Sequence, residues 1–493
     1  HDGVLAALDI LVRDGDGWKA YEVKSSTGVK EYHVNDAALQ AHVIEGCGLP
    51  LADISIVHLN SSYVRQGSVE VQQLFSITSV KDAVLVERVD VPARIAALKQ
   101  VLSLPEAPVI DIGPQCSSPF ACDFMHHCWS HVPAVGSVFD LARAMGRDWE
   151  LYRAGILLLK DIPERTPLTP AQRRQVEGAK HGTNTIDRAA LGRWLKDLRH
   201  PLYHFDFETF MPAVPLFDGT RPYQQLPFQY SVHVQRTPGA VPEHHEFLAD
   251  GSGDPREALT IALIQHLGEA GDVLAYNAPF EKRCLEELAR DLPHHAPALE
   301  RILARVKDLH TPFKAGWYVV PAMNGRTSIK VVLPALVPEL GYADLAVQEG
   351  GTASLLFTQL VAGNYTGDVG QLRKDLLAYC GRDTYAMVKV LEEWSGLRRG
   401  DRRVKAPGVR TRFHSSAGGS PSGKKSPTHP GPRRKPEALP TFPERRTRSF
   451  AAFGPTKTTP LYACACTRTV PLLANAHFTT KRCACAVPSR CTR

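Results

Sequence analysis

Apolar residues recur in short blocks separated by turn residues from the start of the chain. Gly3 to Val12 reads as an apolar strand, Asp14-Gly15-Asp16-Gly17 as a turn and Trp18 to Lys24 as a second strand, because Asp-Gly steps are strong hairpin punctuation. Ile54 to Leu59 and Ala83 to Val86 predict further strands, and Pro92 to Leu102 a helix. From Val138 to about His200 the pattern turns helical and charged, with Trp149, Leu151, Ile156 and Leu157 forming one face, which predicts a connector. Beyond it, Leu202 to Phe207, Phe228 to Val234 and Val273 to Ala275 read as strands that alternate with helical stretches such as Arg256 to Leu267. A long helical pattern then runs from about Val369 to Trp394. Strands interleaved with helices predict an α/β architecture. No internal repeat and no heptad run is present, which argues against solenoids and coiled coils.

Composition bounds this picture. A chain of 493 residues, 43% hydrophobic, 22% charged and 8% aromatic, is too long for one small module and too apolar for global disorder. Its apolar runs, such as Ile156 to Leu159, fall far short of the roughly 18 residues that span a bilayer. The first residues, His1-Asp2-Gly3-Val4, carry no signal-peptide pattern and read as a cut inside a domain. The expectation is a cytoplasmic protein with no membrane partner. Charge is uneven: from Asp401 to the end there are 19 Lys and Arg against three acids, whereas the remainder has 39 against 48. The basic, Pro/Gly/Ser-rich stretch beyond the last helix is therefore expected to be disordered, a solvated tail in preference to a nucleic-acid arm. Its cysteines, Cys464, Cys466, Cys483, Cys485 and Cys491, match no zinc-ligand spacing.

Two groups of residues carry candidate chemistry. In the first, Asp9 falls on one strand of the hairpin, while Glu22 and Lys24 alternate with Val23 and share a face of the other. Two carboxylates converging from adjacent strands can hold a divalent metal, and a lysine beside them can activate water. The same alternation also occurs on plain solvent faces of antiparallel strands. Gln40 follows on the next helix, and a regular cluster, Cys116-x5-Cys122-x5-Cys128, closes the region. With no secretory signal, a metal or iron–sulfur reading of that cluster is favoured over disulfides; plain buried thiols remain the alternative.

Together these residues resemble PD-(D/E)XK nucleases of the RecB type, in particular CRISPR-associated exonucleases with a four-cysteine iron–sulfur cluster. The resemblance implies that Asp9 and Glu22 are metal ligands, Lys24 the water-activating residue and Gln40 a supporting nucleic-acid contact. It also implies that Cys116, Cys122 and Cys128 are three ligands of a 4Fe–4S cluster whose fourth cysteine is not in this chain. Relatives usually carry Tyr four positions after the Gln, where this chain has Ile44.

In the second group, the strand through Asp206 and Glu208 puts both acids on one face, with Phe205 and Phe207 on the other. Adjacent acids repel unless a cation lies between them, and a divalent metal is the usual explanation. Asn277 is the expected N-cap of a helix that has Pro279 and Glu281 in its first turn. Tyr379 and Asp383, four residues apart, stack on one face of the last helix. This ordered set resembles the DEDD exonucleases of the ribonuclease H-like fold, in the subclass with a tyrosine. The resemblance implies two Mg2+ or Mn2+ ions held by Asp206, Glu208, Glu281 and Asp383, with Tyr379 orienting the attacking water and Asn277 contacting nucleic acid. Glu281 stands where Asp is usual, and Asp308 is an alternative acid.

The segments Phe205-Asp206-Phe207-Glu208-Thr209, Leu226 to Ser231, Ser328 to Pro334 and Gly350 to Ser354 are similar to a bacterial family catalogued as domain of unknown function 2779, over about residues 1–397. The combined expectation is an α/β chain in four parts: a truncated PD-(D/E)XK nuclease-like domain (1–135), a helical connector (136–199), a ribonuclease H-like DEDD exonuclease domain (200–397) and a disordered basic tail (398–493). Its expected activity is metal-dependent hydrolysis of DNA or RNA. The alternatives are a nucleic-acid-binding protein that has lost the chemistry and a small-molecule phosphohydrolase. Lys24, Lys30, Lys282, Arg283, Lys330 and Arg382 lie near the motifs and are candidates to line a cleft.

Overall fold

A computed structural model describes residues 1–398. The expected basic tail, with its cysteines, falls outside the described residues. The amino-terminal hairpin forms with a shorter first strand than expected: β1 (Ile10–Asp14) and β2 (Gly17–Val23) pair antiparallel, Asp14 opposite Gly17. Residues before Ile10 are not strand, and Asp9 instead turns its carboxylate onto the Val23 N–H at 2.8 Å. β3 (Leu51–Leu59) runs parallel to β2, a pairing that requires a crossover. Helix Glu31–Gly46 supplies it and packs Ala37, Ala38, Ala41 and Ile44 into the core beneath Ala20, Ile54 and Ile56. β4 (Phe75–Ser79) completes a four-stranded sheet in the order β1-β2-β3-β4. The strand expected at Ala83–Val86 lies instead in helix Lys81–Glu87. Such a short apolar run has no decisive period, and with Val84 buried while Leu85 and Val86 face solvent it follows helical spacing.

The expected connector contains helices Arg147–Arg153, Pro170–His181 and Arg188–Lys196. It is anchored to the rest by a two-stranded sheet, β5 (Thr185–Ile186) against a strand far downstream at Tyr318–Val319.

A five-stranded sheet follows. Its strands are β6 (Leu202–Phe210), β7 (Leu226–Gln235), β8 (Glu243–Leu248), β9 (Asp272–Ala275) and β10 (Val306–Asp308), with the downstream partner of β5 as β11. The spatial order is β10-β9-β6-β7-β8, with β6, β9 and β10 parallel and β7 and β8 antiparallel to their neighbours. Every residue of β7 is buried, so both faces must be covered. On one face Phe205, Phe207 and Tyr230 pack on helices Arg256–Leu267, Pro279–Asp291 and Ala296–Leu303. On the other lie helices Ile329–Leu336, Gly350–Val361 and the long Val369–Arg398, whose Trp394 is fully buried. Loops of the two sheets meet: Arg65 hydrogen-bonds the Leu216 carbonyl at 2.5 Å and Tyr223 donates to the Ser25 carbonyl at 2.9 Å. No helix among the described residues is long and apolar enough to cross a membrane.

Candidate active site

The period of β6 turns Asp206 and Glu208 toward the long helix, while Phe205 and Phe207 enter the opposite core. Strands β6, β9 and β10 all end at the edge where ligands of parallel sheets bind. After β9 the chain turns sharply through Asn277 (φ 72°) into helix Pro279–Asp291, and the first turn of that helix delivers Glu281. The N-cap is Ala278, without a side-chain cap, and not Asn277. Asn277 takes the left-handed conformation its short side chain tolerates. Its N–H donates to Asp308 Oδ1 at 3.0 Å and its Oδ1 accepts from Lys314 Nζ at 2.9 Å. From the long helix, Tyr379 and Asp383 face the same space.

These elements enclose a cavity of about 300 Å³ lined by Asp206, Glu208, Glu281, Asp383, Tyr379 and Lys330, with Phe280, Ile329 and Gly350 among the walls. A carboxylate oxygen of Asp206, one of Glu208 and the Cys380 thiol lie within 4.8 Å of one another. Asp206 lies close enough to Glu281 for the neighbouring carboxyl to add to its upward displacement. Burial raises all four acids, Glu208 and Glu281 to about 8 and Asp206 and Asp383 also upward; repulsion from the other acids adds to the shift of Asp206 and Glu208, whereas Tyr342, Lys330 and Tyr379 oppose that of Asp383. Glu281 Oε2 is buried without a partner. Lys330 is the cation of the lining; its ammonium donates to the Tyr379 hydroxyl at 2.9 Å and lies 4.8 Å from the centre of that ring. Tyr342 donates to Asp383 at 2.5 Å. Asp308, the alternative acid, is occupied by Asn277 N–H, His310 N–H and Lys314 and does not line the cavity. Gly350 opens its helix against the acids: a Cβ there would stand 3.4 Å from Glu208 Oε2.

The first group also converges, with a different charge balance. Glu22 is buried on β2, and Lys24 bonds it at 2.8 Å and Asp36 at 2.6 Å. Burial raises the Glu22 carboxyl, while Lys24 and the buried Gln40 oppose the shift. Glu22 Oε2 has no hydrogen-bond partner. Asp9 is exposed and adjacent, its carboxylate engaged by Val23. Asp36 was not apparent from the sequence, because nothing in its spacing distinguishes it from other helix-surface acids. Tyr342 and Cys380 were also missed; Lys330 was legible as a lysine near a motif, without its tyrosine contact.

Cys116, Cys122 and Cys128 are free thiols, buried, exposed and half-buried in turn, with Cys116 ending the 3-10 turn Pro114–Cys116 and Cys128 the short helix Met125–Cys128. The Cys122 N–H donates to the Cys116 carbonyl at 2.8 Å, and Phe120 packs edge-on against Tyr32 of helix Glu31–Gly46. Of the remaining candidate cleft cations, Arg382 is paired with Asp344 at 2.9 Å.

Residues 203–328 match the model of a family described as "Domain of unknown function (DUF2779)". The chain is 26% identical over 258 residues to an uncharacterized protein of Ureaplasma parvum, covering 48% of this chain and 36% of that protein. It is 27% identical over 217 residues to an uncharacterized protein of Mycoplasma pneumoniae, covering 40% of this chain and 32% of the relative. The matches thus span about a third of the length of these curated relatives. No solved structure matches the chain.

Proposed function

We propose that residues 203–328, which match the family of unknown function, together with the long helix form a ribonuclease H-like, metal-dependent exonuclease that hydrolyses phosphodiester bonds of DNA or RNA. The observation that carries this reading is the convergence of Asp206, Glu208, Glu281 and Asp383 on one cavity that also holds Tyr379. The donor set fits hard divalent cations: four carboxylates, one with an unpartnered buried oxygen, face a single lysine. Mg2+ or Mn2+ held by these acids would supply Lewis-acid stabilisation of the attacking and leaving oxygens.

The chain's own residues set the geometry. Lys330 fills a lone pair of the Tyr379 hydroxyl, so that the tyrosine proton points into the cavity toward a carboxylate or a water. Tyr342 fixes the Asp383 carboxylate by charge-assisted hydrogen bonding. Phe280 and Ile329 give the cavity apolar walls. Glu281, one methylene longer than the Asp usual in DEDD enzymes, is buried in the first turn of its helix and lines the cavity beside Asp206.

Asp9, Glu22, Lys24 and Gln40 carry the PD-(D/E)XK-like part of the proposal as a second, separable centre. Cys116, Cys122 and Cys128 do not complete a four-thiolate site among the described residues, since Cys284 and Cys380 are buried elsewhere and Cys47 ends a helix; no step runs through a cluster. A second reading, nucleic-acid binding without turnover, is favoured by Glu281 standing where DEDD enzymes usually carry Asp. The test is cleavage of end-labelled single- and double-stranded DNA and RNA with Mn2+, Mg2+ or EDTA. Metal-dependent laddering from one end, lost in Asp206→Ala, is expected; intact substrate with a gel shift would select the second reading.

A further inference from the structure

Away from both acidic groups, Glu257 in the first turn of helix Arg256–Leu267 meets His294 and His295, which precede helix Ala296–Leu303. His294 Nε2 lies 3.0 and 3.1 Å from the two Glu257 oxygens, and His295 Nε2 lies 2.9 Å from Oε1. The three donor atoms are within 4.8 Å of one another. We propose that Glu257, His294 and His295 form a transition-metal site, of the borderline-soft class that Zn2+ represents, clipping the start of one helix to the junction of two others.

The donor chemistry selects the metal. Two imidazole nitrogens and one carboxylate suit Zn2+, whereas Mg2+ and Ca2+ prefer all-oxygen sets such as the Asp206 cavity. Ligand bonds of about 2.0–2.2 Å in a tetrahedron place donor atoms roughly 3.3–3.5 Å apart. The observed separations of 2.9–3.1 Å reach that spacing by a few tenths of an ångström of side-chain movement. Three protein ligands leave the fourth position to water. A metal there would take the place of any proton shared between Nε2 and Glu257, releasing it to solvent.

The backbone beneath is already fixed. Arg256, 8% exposed at its side chain, pairs with Asp254 at 2.7 Å and with Asp291 at 2.9 Å, which locks the helix start to the end of helix Pro279–Asp291. Donors on rigid elements lose little freedom on binding a metal. The clip closes a stretch of 37 residues that includes the whole helix delivering Glu281. The side chains are accessible, at 60% for His294, 20% for His295 and 48% for Glu257.

The experiment is calorimetric titration of the full chain with Zn2+, after alkylation of its thiols and in excess Mg2+, so that cysteines and the carboxylate cavity do not compete. The wild type is expected to bind one more equivalent than the His294→Ala/His295→Ala variant, and Glu257→Gln to weaken that site roughly tenfold or more. Co2+ substituted into the same site is expected to give a tetrahedral visible spectrum that the double variant lacks. Identical isotherms for wild type and double variant would overturn the proposal. Neither result depends on the nuclease reading, since none of the three residues lines that cavity.

Discussion

Glu22 and Asp206 both lie on strands and are joined by further carboxylates, yet the charge around them is balanced differently. Beside Glu22 stands Lys24, whose ammonium bonds Glu22 and Asp36 at once, while Asp9 is satisfied by a backbone N–H. Around Asp206 three more acids share the space with Lys330, and that lysine's hydrogen bond goes to Tyr379. The first cluster sets three carboxylates against one ammonium, but that ammonium pairs directly with two of them. In the second, four carboxylates share one lysine whose hydrogen bond goes to Tyr379, so more negative charge is left for protons or a multivalent cation to neutralise. Two motifs of similar appearance in sequence thus differ in whether the lysine bonds the carboxylates directly or bonds a tyrosine beside them.

The largest expected effect on that contrast comes from Asp206→Ala. Removing a member of a unit that acts together should lower metal-dependent cleavage by about 10³-fold or more, and Glu22→Ala should lower it less. A comparable loss in both variants, read from initial rates on end-labelled substrate, would erase the distinction. Tyr379→Phe keeps the ring and removes only the hydroxyl, so a loss of roughly 10²-fold with unchanged metal affinity is expected. A rate equal to wild type would remove Tyr379 from the site.

Stability against pH sharpens the comparison further. The folded pKa values of Glu208 and Glu281, about 8, lie above the ordinary 4.5, so between those values the folded state binds more protons than the unfolded one. Stability of the metal-free protein therefore falls as pH rises through this window. A drop in Tm on the order of 5 °C or more from pH 5 to pH 8.5 is expected in EDTA, with Mn2+ reversing it at the alkaline end. Asp206→Asn, which removes one charge from the cluster, should flatten the dependence. A flat wild-type profile would mean the acids are already neutralised within the fold.

The smallest effect belongs to the first cluster. Lys24→Met leaves Glu22 buried without its cation, and a loss of about 1–2 kcal/mol in chemical denaturation is expected for this partly exposed pair. No loss would show Glu22 to be protonated or solvated in the native state.

Much of this arrangement was legible before the structure. Period-two strands and helix spacing paired Asp206 with Glu208, Glu22 with Lys24 and Tyr379 with Asp383, because each pair is local and its geometry follows from backbone repeat alone. Ala83–Val86 failed because so few residues carry no decisive period. β8 and β10 escaped notice, being polar at the sheet edge in one case and three residues long in the other. The Lys330–Tyr379 and Tyr342–Asp383 contacts span 49 and 41 residues, and the Glu257–His294–His295 cluster joins separate helices. Tertiary meetings of that kind leave no local pattern to read. The Asn277 cap failed for a different reason: the residue type suits an N-cap and a left-handed turn equally, and the tight exit from β9 took the second.

The most direct test of the central claim is Mn2+ binding at pH 8 by calorimetry on wild type, Glu22→Gln and Asp206→Asn, each folded by circular dichroism. The account predicts that binding survives Glu22→Gln and weakens at least tenfold in Asp206→Asn. Binding lost with Glu22→Gln but intact in Asp206→Asn, or absent from the wild type, would contradict it.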